Sequence, residues 1–286
     1  MKGFITPSVP FAERRIIEMK QLVDLLIPHA QEGICLAFSG GVDSSVLLAA
    51  ACRAIQEAHS DKPVLAITFA TRLHPHNDTA EAQKLAENLG ARHQIIEVDE
   101  FSDQRILMNP KNRCYLCKSL LFKSLLQAGE NAGYHYFCEG SNLDDTKVYR
   151  PGLQAVREAG VHSPLIDCEL TKAQIRRLAS EAGLSTASKP STPCMATRLP
   201  YDTPFDYPLL DRINRGETLI RDLGFYNVRL RFHNPILRIE VDTKDFTRFI
   251  EHRETIIKAM KDLGFLYITL DLEGFRSGSM DEGQVH

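Results

Sequence analysis

Two spacings of apolar residues alternate along this chain. Over 13–30, Ile16, Ile17, Met19, Leu22, Val23, Leu25 and Leu26 recur at helical intervals and predict a first helix. Residues 34–38 are apolar throughout and predict a strand, followed by an Ala- and Leu-rich helical segment over 46–54. The same reading predicts strands at 64–69, 94–98, 134–138 and 163–166. It predicts helices at 79–89, 112–126, 155–159 and 172–182. Mostly apolar strands alternating with helices predict the α/β class, with a parallel, doubly wound sheet covered on both faces. Ligands of such sheets bind beyond the carboxyl ends of the strands.

The pattern breaks over 183–208, where Pro190, Pro193, Pro200, Pro204 and Pro208 stand among serines and threonines, so this stretch predicts a loop and domain junction. Beyond it, 209–223 predicts an amphipathic helix stopped by Gly224. A hairpin follows over 227–232 and 236–241 across His233-Asn234-Pro235, then a helix over 246–263 and a last strand over 266–272. The expected organisation is a sheet domain over 1–187, a junction over 188–208 and a small α+β domain of order α-β-β-α-β over 209–286. The tail after Met280 is polar and is expected to fray.

The most informative motif is Ser39-Gly40-Gly41-Val42-Asp43-Ser44-Ser45, between the first strand and its helix. Two glycines let the backbone approach a ligand closely, and the first helical N–H groups point at whatever fills the turn. The helix end and the hydroxyls of Ser39, Ser44 and Ser45 suit phosphate oxygens. Asp43 would repel them, so it implies either a magnesium ion at the loop or a plain helix cap. The GxxxxGK[ST] spacing and its lysine are missing, which excludes the P-loop of kinases and GTPases.

Two further stretches belong to the same domain. Glu139-Gly140-Ser141-Asn142-Leu143-Asp144-Asp145 follows the fourth strand at its carboxyl end, with Tyr149-Arg150-Pro151-Gly152 soon after. Gly140, Asn142, Asp145 and Arg150 are placed there to reach nucleotide, magnesium or substrate, or to make turns. Lys172 opens a helix behind Thr171, a position cations disfavour, so an anionic partner such as pyrophosphate is expected.

Seven cysteines are present, an odd number that argues against a disulfide framework. Cys114 and Cys117 form a CxxC at the start of a predicted helix and face the same way. They are half of a tetrahedral metal site. Cys35, Cys52 and Cys138 read as small buried hydrophobes, and Cys168 is uninformative. Cys194 lies in the junction between Lys189 and Arg198, either as a thiolate favoured by nearby positive charge or as an inert loop thiol, and Arg198 is a further candidate for the nucleotide or substrate vicinity. Three such thiols suit either a four-iron cluster with one open iron or a zinc ion with one open position.

In the small domain, Arg229 and Arg231 alternate with apolar residues and project from one face of the hairpin, as a phosphate or carboxylate grip or as a solvated sheet face. Arg276 adds a guanidinium beside flexible backbone. Glu217, Glu240 and Asp245 read as ordinary surface acids. A net charge of −3 gives no general attraction to nucleic acid or acidic membranes. The absence of an 18-residue apolar run and the prolines Pro7 and Pro10 near the start lead to the expectation of a cytoplasmic protein.

The glycine loop resembles the SGGxDS loop of the PP-loop ATP pyrophosphatase superfamily, whose fold is adenine nucleotide alpha hydrolase-like. That resemblance implies cleavage of ATP between its α and β phosphates and transfer of adenylate to a substrate. Nearly the whole chain resembles the LarE family, the ATP-dependent sulfur transferases of nickel-pincer nucleotide cofactor synthesis. The similarity rests on the loop, on Tyr149-Arg150-Pro151-Gly152-Leu153, on Cys194 followed by Arg198-Leu199-Pro200-Tyr201, on residues 228–234, and on Leu270-Asp271-Leu272 leading into 274–280. It implies adenylation of a carboxylate of pyridinium-3,5-biscarboxylic acid mononucleotide, then displacement of AMP by sulfur to leave a thiocarboxylate.

By the same resemblance, Arg229 and Arg231 would grip the substrate phosphate, with Glu217 and Glu240 near it as further metal-ligand candidates, and Asp245 aligns less securely. Assembly would be a homo-oligomer, a hexamer in the family. Partners would be the nucleotide substrate, a sulfide source or a downstream nickel-insertion protein, without nucleic acid or membrane. Some members sacrifice the sulfur of the cysteine matching Cys194, and others hold a [4Fe-4S] cluster on three cysteines. Cys114 and Cys117 beside Cys194 place this chain with the cluster type, with ATP, Mg2+ and the cluster as cofactors. Its rivals are a tRNA 2-thiolation enzyme, which needs a basic RNA face, and a non-enzymatic ATP sensor, which needs neither Cys194 nor the arginines.

Overall fold

The structure, a computed structural model, describes residues 11–74, 77–148, 150–189, 193–276 and 278–280, with side chains described from Glu18 onward and not at Asn77 or Asp78. Tyr149, Pro190, Ser277 and the tail beyond Met280 lie outside the described residues. The chain forms two units. One comprises 1–71, 76–98 and 114–189. The other comprises 72–75, 99–113 and 190–286.

In the first unit the elements run α1 (Phe11–Leu26), β1 (Ile34–Ala37), α2 (Val42–Glu57), β2 (Leu65–Ala70), α3 (Asn77–Asn88) and β3 (Arg92–Glu97). The second unit contributes the short α4 (Gln104–Leu107). α5 (Arg113–Asn131), β4 (Tyr136–Cys138), α6 (Gly152–Glu158), α7 (Pro164–Asp167) and α8 (Lys172–Glu181) then complete the first. The four strands are all parallel, in the order β3-β2-β1-β4. Period-2 alternation along β1 sends Ile34, Leu36 and Phe38 into a core built with α1, α2 and α8, and sends Cys35 into a second core with Phe122 and Leu125 of α5 and Val156 of α6. The sheet is covered on both faces and belongs to the α/β class.

Because the chain winds from β1 outward to β3 and then returns on the other side of β1, the topological switch point lies between β1 and β4. The glycine loop and the 139–145 stretch therefore emerge side by side. Their approach is close: a Cβ built on Gly140 would stand 3.0 Å from the Ser44 backbone nitrogen and 3.2 Å from its Cα.

The residues predicted as a strand over 163–166 instead form α7. Pro164 at its first position carries no N–H for a ladder and has a φ suited to a helix start, while Ile166 N–H bonds back to Ser163 O at 2.8 Å. Strand character ends one residue earlier, in a lone parallel bridge of His162 to Cys138.

The second unit continues with α9 (Tyr207–Asp222), β5 (Val228–His233), β6 (Ile236–Val241), α10 (Phe246–Glu251), α11 (Arg253–Asp262) and β7 (Tyr267–Leu270). β5 and β6 pair antiparallel and β7 joins β6 in parallel. The helix predicted over 246–263 is two, divided at His252, whose ring stands edge-on to Phe225. The proline-rich stretch is not loose: its described part forms 3-10 turns at Ser185–Ser188 and Met195–Arg198, and the second buries Met195, Ala196 and Arg198. Among the described residues no helix is long and apolar enough to cross a membrane.

Gly140→Ala is expected to destabilise the protein by about 1–3 kcal/mol, because the methyl meets backbone rather than a yielding side chain. Denaturant unfolding checks this, and an unchanged midpoint would show that the loops are not pressed together.

Candidate functional site

The glycine loop is a tight turn whose hydroxyls are already ordered. Gly40 takes a φ of +68°, and a Cβ there would stand 3.0 Å from the Cβ of Ala82, so both backbone and space call for glycine. Gly41 caps α2. Ser44 and Ser45 donate to the Gly41 carbonyl at 3.1 and 2.8 Å, and Ser39 Oγ accepts from Gly41 N–H at 3.3 Å and lies 3.1 Å from Ser44 Oγ.

Asp43 and Lys172, 129 residues apart, form an ion pair at this loop. Asn142 Nδ2 donates to the other Asp43 oxygen at 3.2 Å, and Asn142 Oδ1 accepts from Asp144 N–H at 2.9 Å. Asp144 Oδ2 in turn accepts from the backbone N–H of Lys172 at 2.8 Å. The ring so formed ties the Lys172 ammonium to Asp43 and the Lys172 backbone N–H to Asp144, and it explains the lysine at a helix start. Its anionic partner in this structure is Asp43. Asp145 pairs with Arg150 at 2.8 Å.

Cys114 and Cys117 lie one turn apart in the first turns of α5, Cys114 exposed and Cys117 partly so. One residue on, Lys118 reaches the buried Glu139 at 3.3 Å, and Glu139 also accepts from the Ser141 and Ser163 hydroxyls. The remaining thiols separate by environment. Burial pushes Cys35 and Cys52 up to about 12, raises Cys138 well above the ordinary thiol value, and pushes the half-buried Cys168 to about 11. These four are protonated and packed, as core residues should be.

In the second unit, Arg229 and Arg231 do share one face of β5, as their alternation predicts, but that face is covered. Arg229 is 5% exposed and Arg231 3%. Phe275 lies over the Arg229 guanidinium at 5.1 Å, Thr197 O accepts from Arg231 Nη1 at 2.7 Å, and Ser279 donates to Glu240 at 2.5 Å. Glu217 and Glu240 are not surface acids: both are fully buried. Strand register explains Glu240, since the position opposite Arg229 on β6 must lie on the same covered face. Glu240 takes a two-point contact from Arg231 at 3.2 and 3.1 Å.

Glu217, on α9, accepts from Arg198 Nε at 2.7 Å and Nη2 at 2.9 Å, from Arg221 at 2.6 Å and from Leu230 N–H at 3.0 Å. Arg276 lies apart from this pair, against Asp271 at 3.4 Å and Glu273 at 2.9 Å. Asp245 sits at the start of α10.

This layer buries three guanidinium groups, Arg198, Arg229 and Arg231, with two carboxylates. Burial opposes ionisation of Glu217, yet Arg198, Arg229 and the Leu230 N–H override it and hold its pKa below the ordinary 4.5. Burial, reinforced by the neighbouring Arg198, pulls Arg229 down to about 10. Keeping that buried guanidinium charged at neutral pH costs on the order of 3 kcal/mol. Within each unit, the described residues hold no group of three or more His, Cys, Asp or Glu side chains placed for a metal ion.

Thr197, Ser279 and Glu139 were not distinguishable as organising residues by residue type alone. The hairpin register carried the one available signal, for Glu240.

The asparagine synthase family matches residues 23–107, the segment from α1 through α4 that contains the glycine loop. An uncharacterized protein of Synechocystis is 34% identical over 248 residues, 86% of this chain and 91% of that protein. The pyridinium-3,5-bisthiocarboxylic acid mononucleotide synthase of Lactiplantibacillus plantarum is 34% identical over 249 residues, 87% of this chain and 89% of that enzyme. The chain belongs to the LarE family. It is therefore an enzyme of the PP-loop ATP pyrophosphatase type, with its glycine loop at the switch point. A second uncharacterized relative of the LarE-family chain, from Methanocaldococcus jannaschii, is 29% identical over 92% of this chain and 98% of that protein.

Removing the carboxylate by Glu217→Ala is expected to cost about 3–5 kcal/mol, because Arg198 is left charged and buried. Glu217→Gln is expected to cost less. The folded-state pKa of Glu217 is depressed, so its contribution is present above pH 4.5 and lost as pH falls below it. Denaturant midpoints measured against pH check this, with the Gln variant lacking that component of the acid loss.

Proposed function

We propose that this LarE-family enzyme makes a thiocarboxylate on a pyridinium mononucleotide. A carboxylate of pyridinium-3,5-biscarboxylic acid mononucleotide attacks the α-phosphorus of ATP, forming an acyl adenylate and releasing pyrophosphate. Sulfide then attacks the acyl carbon and AMP leaves. The observation that carries this reading is the glycine loop opening α2 at the switch point, with Asp43 and Lys172 at its mouth. It is supported by the likeness to the L. plantarum pyridinium-3,5-bisthiocarboxylic acid mononucleotide synthase.

In this mechanism the α2 N-terminus and Ser39, Ser44 and Ser45 receive the leaving pyrophosphate, and Asp43 is the residue that would hold a Mg2+ ion, which would neutralise phosphate charge there. Lys172 passes from Asp43 to a phosphate oxygen. Gly140 and Asn142 fix the neighbouring loop, with Asp145 and Arg150 beside the nucleotide. Arg229 and Arg231 receive the substrate phosphate, a role favoured by the surplus of buried positive charge, with Arg276 at the margin.

The sulfur source proposed here is a [4Fe-4S] cluster held by Cys114, Cys117 and Cys194. The donor set fits by its chemistry: Cys114 is exposed, Cys117 and Cys194 are partly so, and thiolate is the ligand such clusters take. Bound there, the cluster would supply sulfide at an open iron. Residues Glu217 and Glu240 serve instead as counter-ions of the arginine layer. The enzyme is further proposed to work as a cytoplasmic homo-oligomer.

Anaerobic incubation of the protein with ATP, Mg2+, sulfide and the dicarboxylate substrate tests the reading. AMP, pyrophosphate and thiocarboxylate are expected in equal amounts, and iron analysis is expected to give about four irons per chain. Absence of all three products would overturn the function. Conversion of Cys194 to dehydroalanine, seen by mass spectrometry in iron-free protein, would replace the cluster with a sacrificial sulfur.

Asp43→Asn is expected to lower pyrophosphate release by at least ~10²-fold in an initial-rate assay. Inorganic phosphate is expected to raise the thermal midpoint of the wild type in a concentration-dependent way and to do so much less in Arg229→Gln.

A further inference from the structure

Arg198, four residues after Cys194, carries more of the sulfur half of the site than a place near nucleotide or substrate implies. Resting on the proposed role of Cys194, we propose that Arg198 is a positioning residue: with Glu217 as its anchor it fixes the turn that presents the Cys194 thiol. It binds no ligand itself. Its side chain is 1% exposed and all three of its nitrogens are engaged within the second unit. Nε and Nη2 fork onto the two oxygens of Glu217. Nη1 donates to Pro193 O at 3.2 Å, Cys194 O at 3.4 Å and Thr197 Oγ1 at 2.9 Å.

The anchor is rigid for reasons visible in the packing. Glu217 belongs to a sixteen-residue helix, α9, and also accepts from the β5 backbone at Leu230. Gly216 beside it lets α9 close on β5, since a Cβ there would stand 2.6 Å from Leu230 Cδ1. The carboxylate is thus fixed by helix and sheet together. The Met195–Arg198 turn hangs from it by one guanidinium that grips both ends, Pro193 and Cys194 at the start and its own backbone at the finish.

A second tie reaches the same turn. Thr197 donates to Cys194 O at 3.0 Å, and its own carbonyl accepts from Arg231 at 2.7 Å. The cysteine turn is therefore bonded to one of the two arginines proposed to take the substrate phosphate. Sulfur and phosphate grip share a frame. A lysine in place of Arg198 keeps the charge but cannot fork onto Glu217 and reach back to Pro193 and Cys194 at once.

The test compares wild type, Arg198→Lys and Thr197→Val, the last keeping side-chain shape while removing the hydroxyl. Alkylation of Cys194 by iodoacetamide is followed by peptide mass spectrometry, with Cys114 in the same samples as the internal reference. The expected result is a several-fold change in the Cys194 rate in both variants, larger for Arg198→Lys, with the Cys114 rate unchanged. The first-turnover burst of pyrophosphate is expected to stay within about threefold of the wild-type rate, leaving acyl adenylate on the enzyme, while steady-state thiocarboxylate formation falls roughly 10²-fold in kcat, with KM nearly unchanged.

Equal Cys194 alkylation in wild type and in a folded variant would overturn the proposal. So would loss of the pyrophosphate burst in parallel with product. Should Arg198→Lys fail to fold, Thr197→Val decides by the same measurements. A wild type that releases no pyrophosphate with any carboxylate fails the functional reading instead, and leaves the alkylation contrast to judge Arg198 on its own.

Discussion

The second unit depends on one carboxylate. Glu217 stands fully buried, takes three charged or backbone donors besides its own helix surroundings, and neutralises part of a layer that would otherwise hold three buried cations against a single anion. An ion pair at this depth is not a source of stability by default, because desolvation of both partners opposes their attraction. What it supplies is a fixed geometry. Once Arg198 and Glu217 are both inside, neither has an alternative partner of equal quality, and every group bonded to them is held as firmly as the core.

The first unit solves a different problem with the same means. A loop that receives pyrophosphate must present N–H groups and hydroxyls without collapsing on itself when empty. Here the serines are bonded to the Gly41 carbonyl and to one another, and the Asp43 carboxylate is bonded to Lys172 and Asn142. In the proposed mechanism Lys172 exchanges its Asp43 partner for a phosphate oxygen, so phosphate would enter this ring by partner exchange rather than by refolding. Side chains at Asp43 and Lys172 are 21% and 37% exposed, which keeps that exchange open to solvent.

The parts of this chain that were readable in advance are those governed by local period and by turn chemistry. The strand, glycine turn and helix at Ile34 to Glu57, the alternation of helices and parallel strands, and the hairpin at Val228 to Val241 follow from apolar spacing alone. The 163–166 stretch misled because four residues with two aliphatics satisfy either period, and only the missing N–H of Pro164 separates them. The burial of Arg229, Arg231, Glu217 and Glu240 was hidden for a deeper reason. Alternation assigns residues to a face, but says nothing about whether another segment covers that face. The cover comes from Thr197, Phe275 and Ser279, which lie 34, 46 and 39 residues from the Arg231, Arg229 and Glu240 side chains they meet, and residue type gives no hint of that.

The thiols show how the fold sorts one chemistry from seven similar groups. Cys35, Cys52 and Cys138 lie in cores where loss of a proton would strand a charge without solvent, and burial raises all three. A thiol held in that state neither binds metal nor attacks carbon, because both need the thiolate. Cys168 is pushed the same way by half-burial. Cys114, Cys117 and Cys194 stand in more open positions than the core thiols: two at the start of a helix and one at the start of a short turn whose last residue is a buried cation. Selectivity among identical side chains thus follows from desolvation, and a sulfur-transfer enzyme gains from it twice, since the silent thiols neither compete for metal nor divert the activated acyl group.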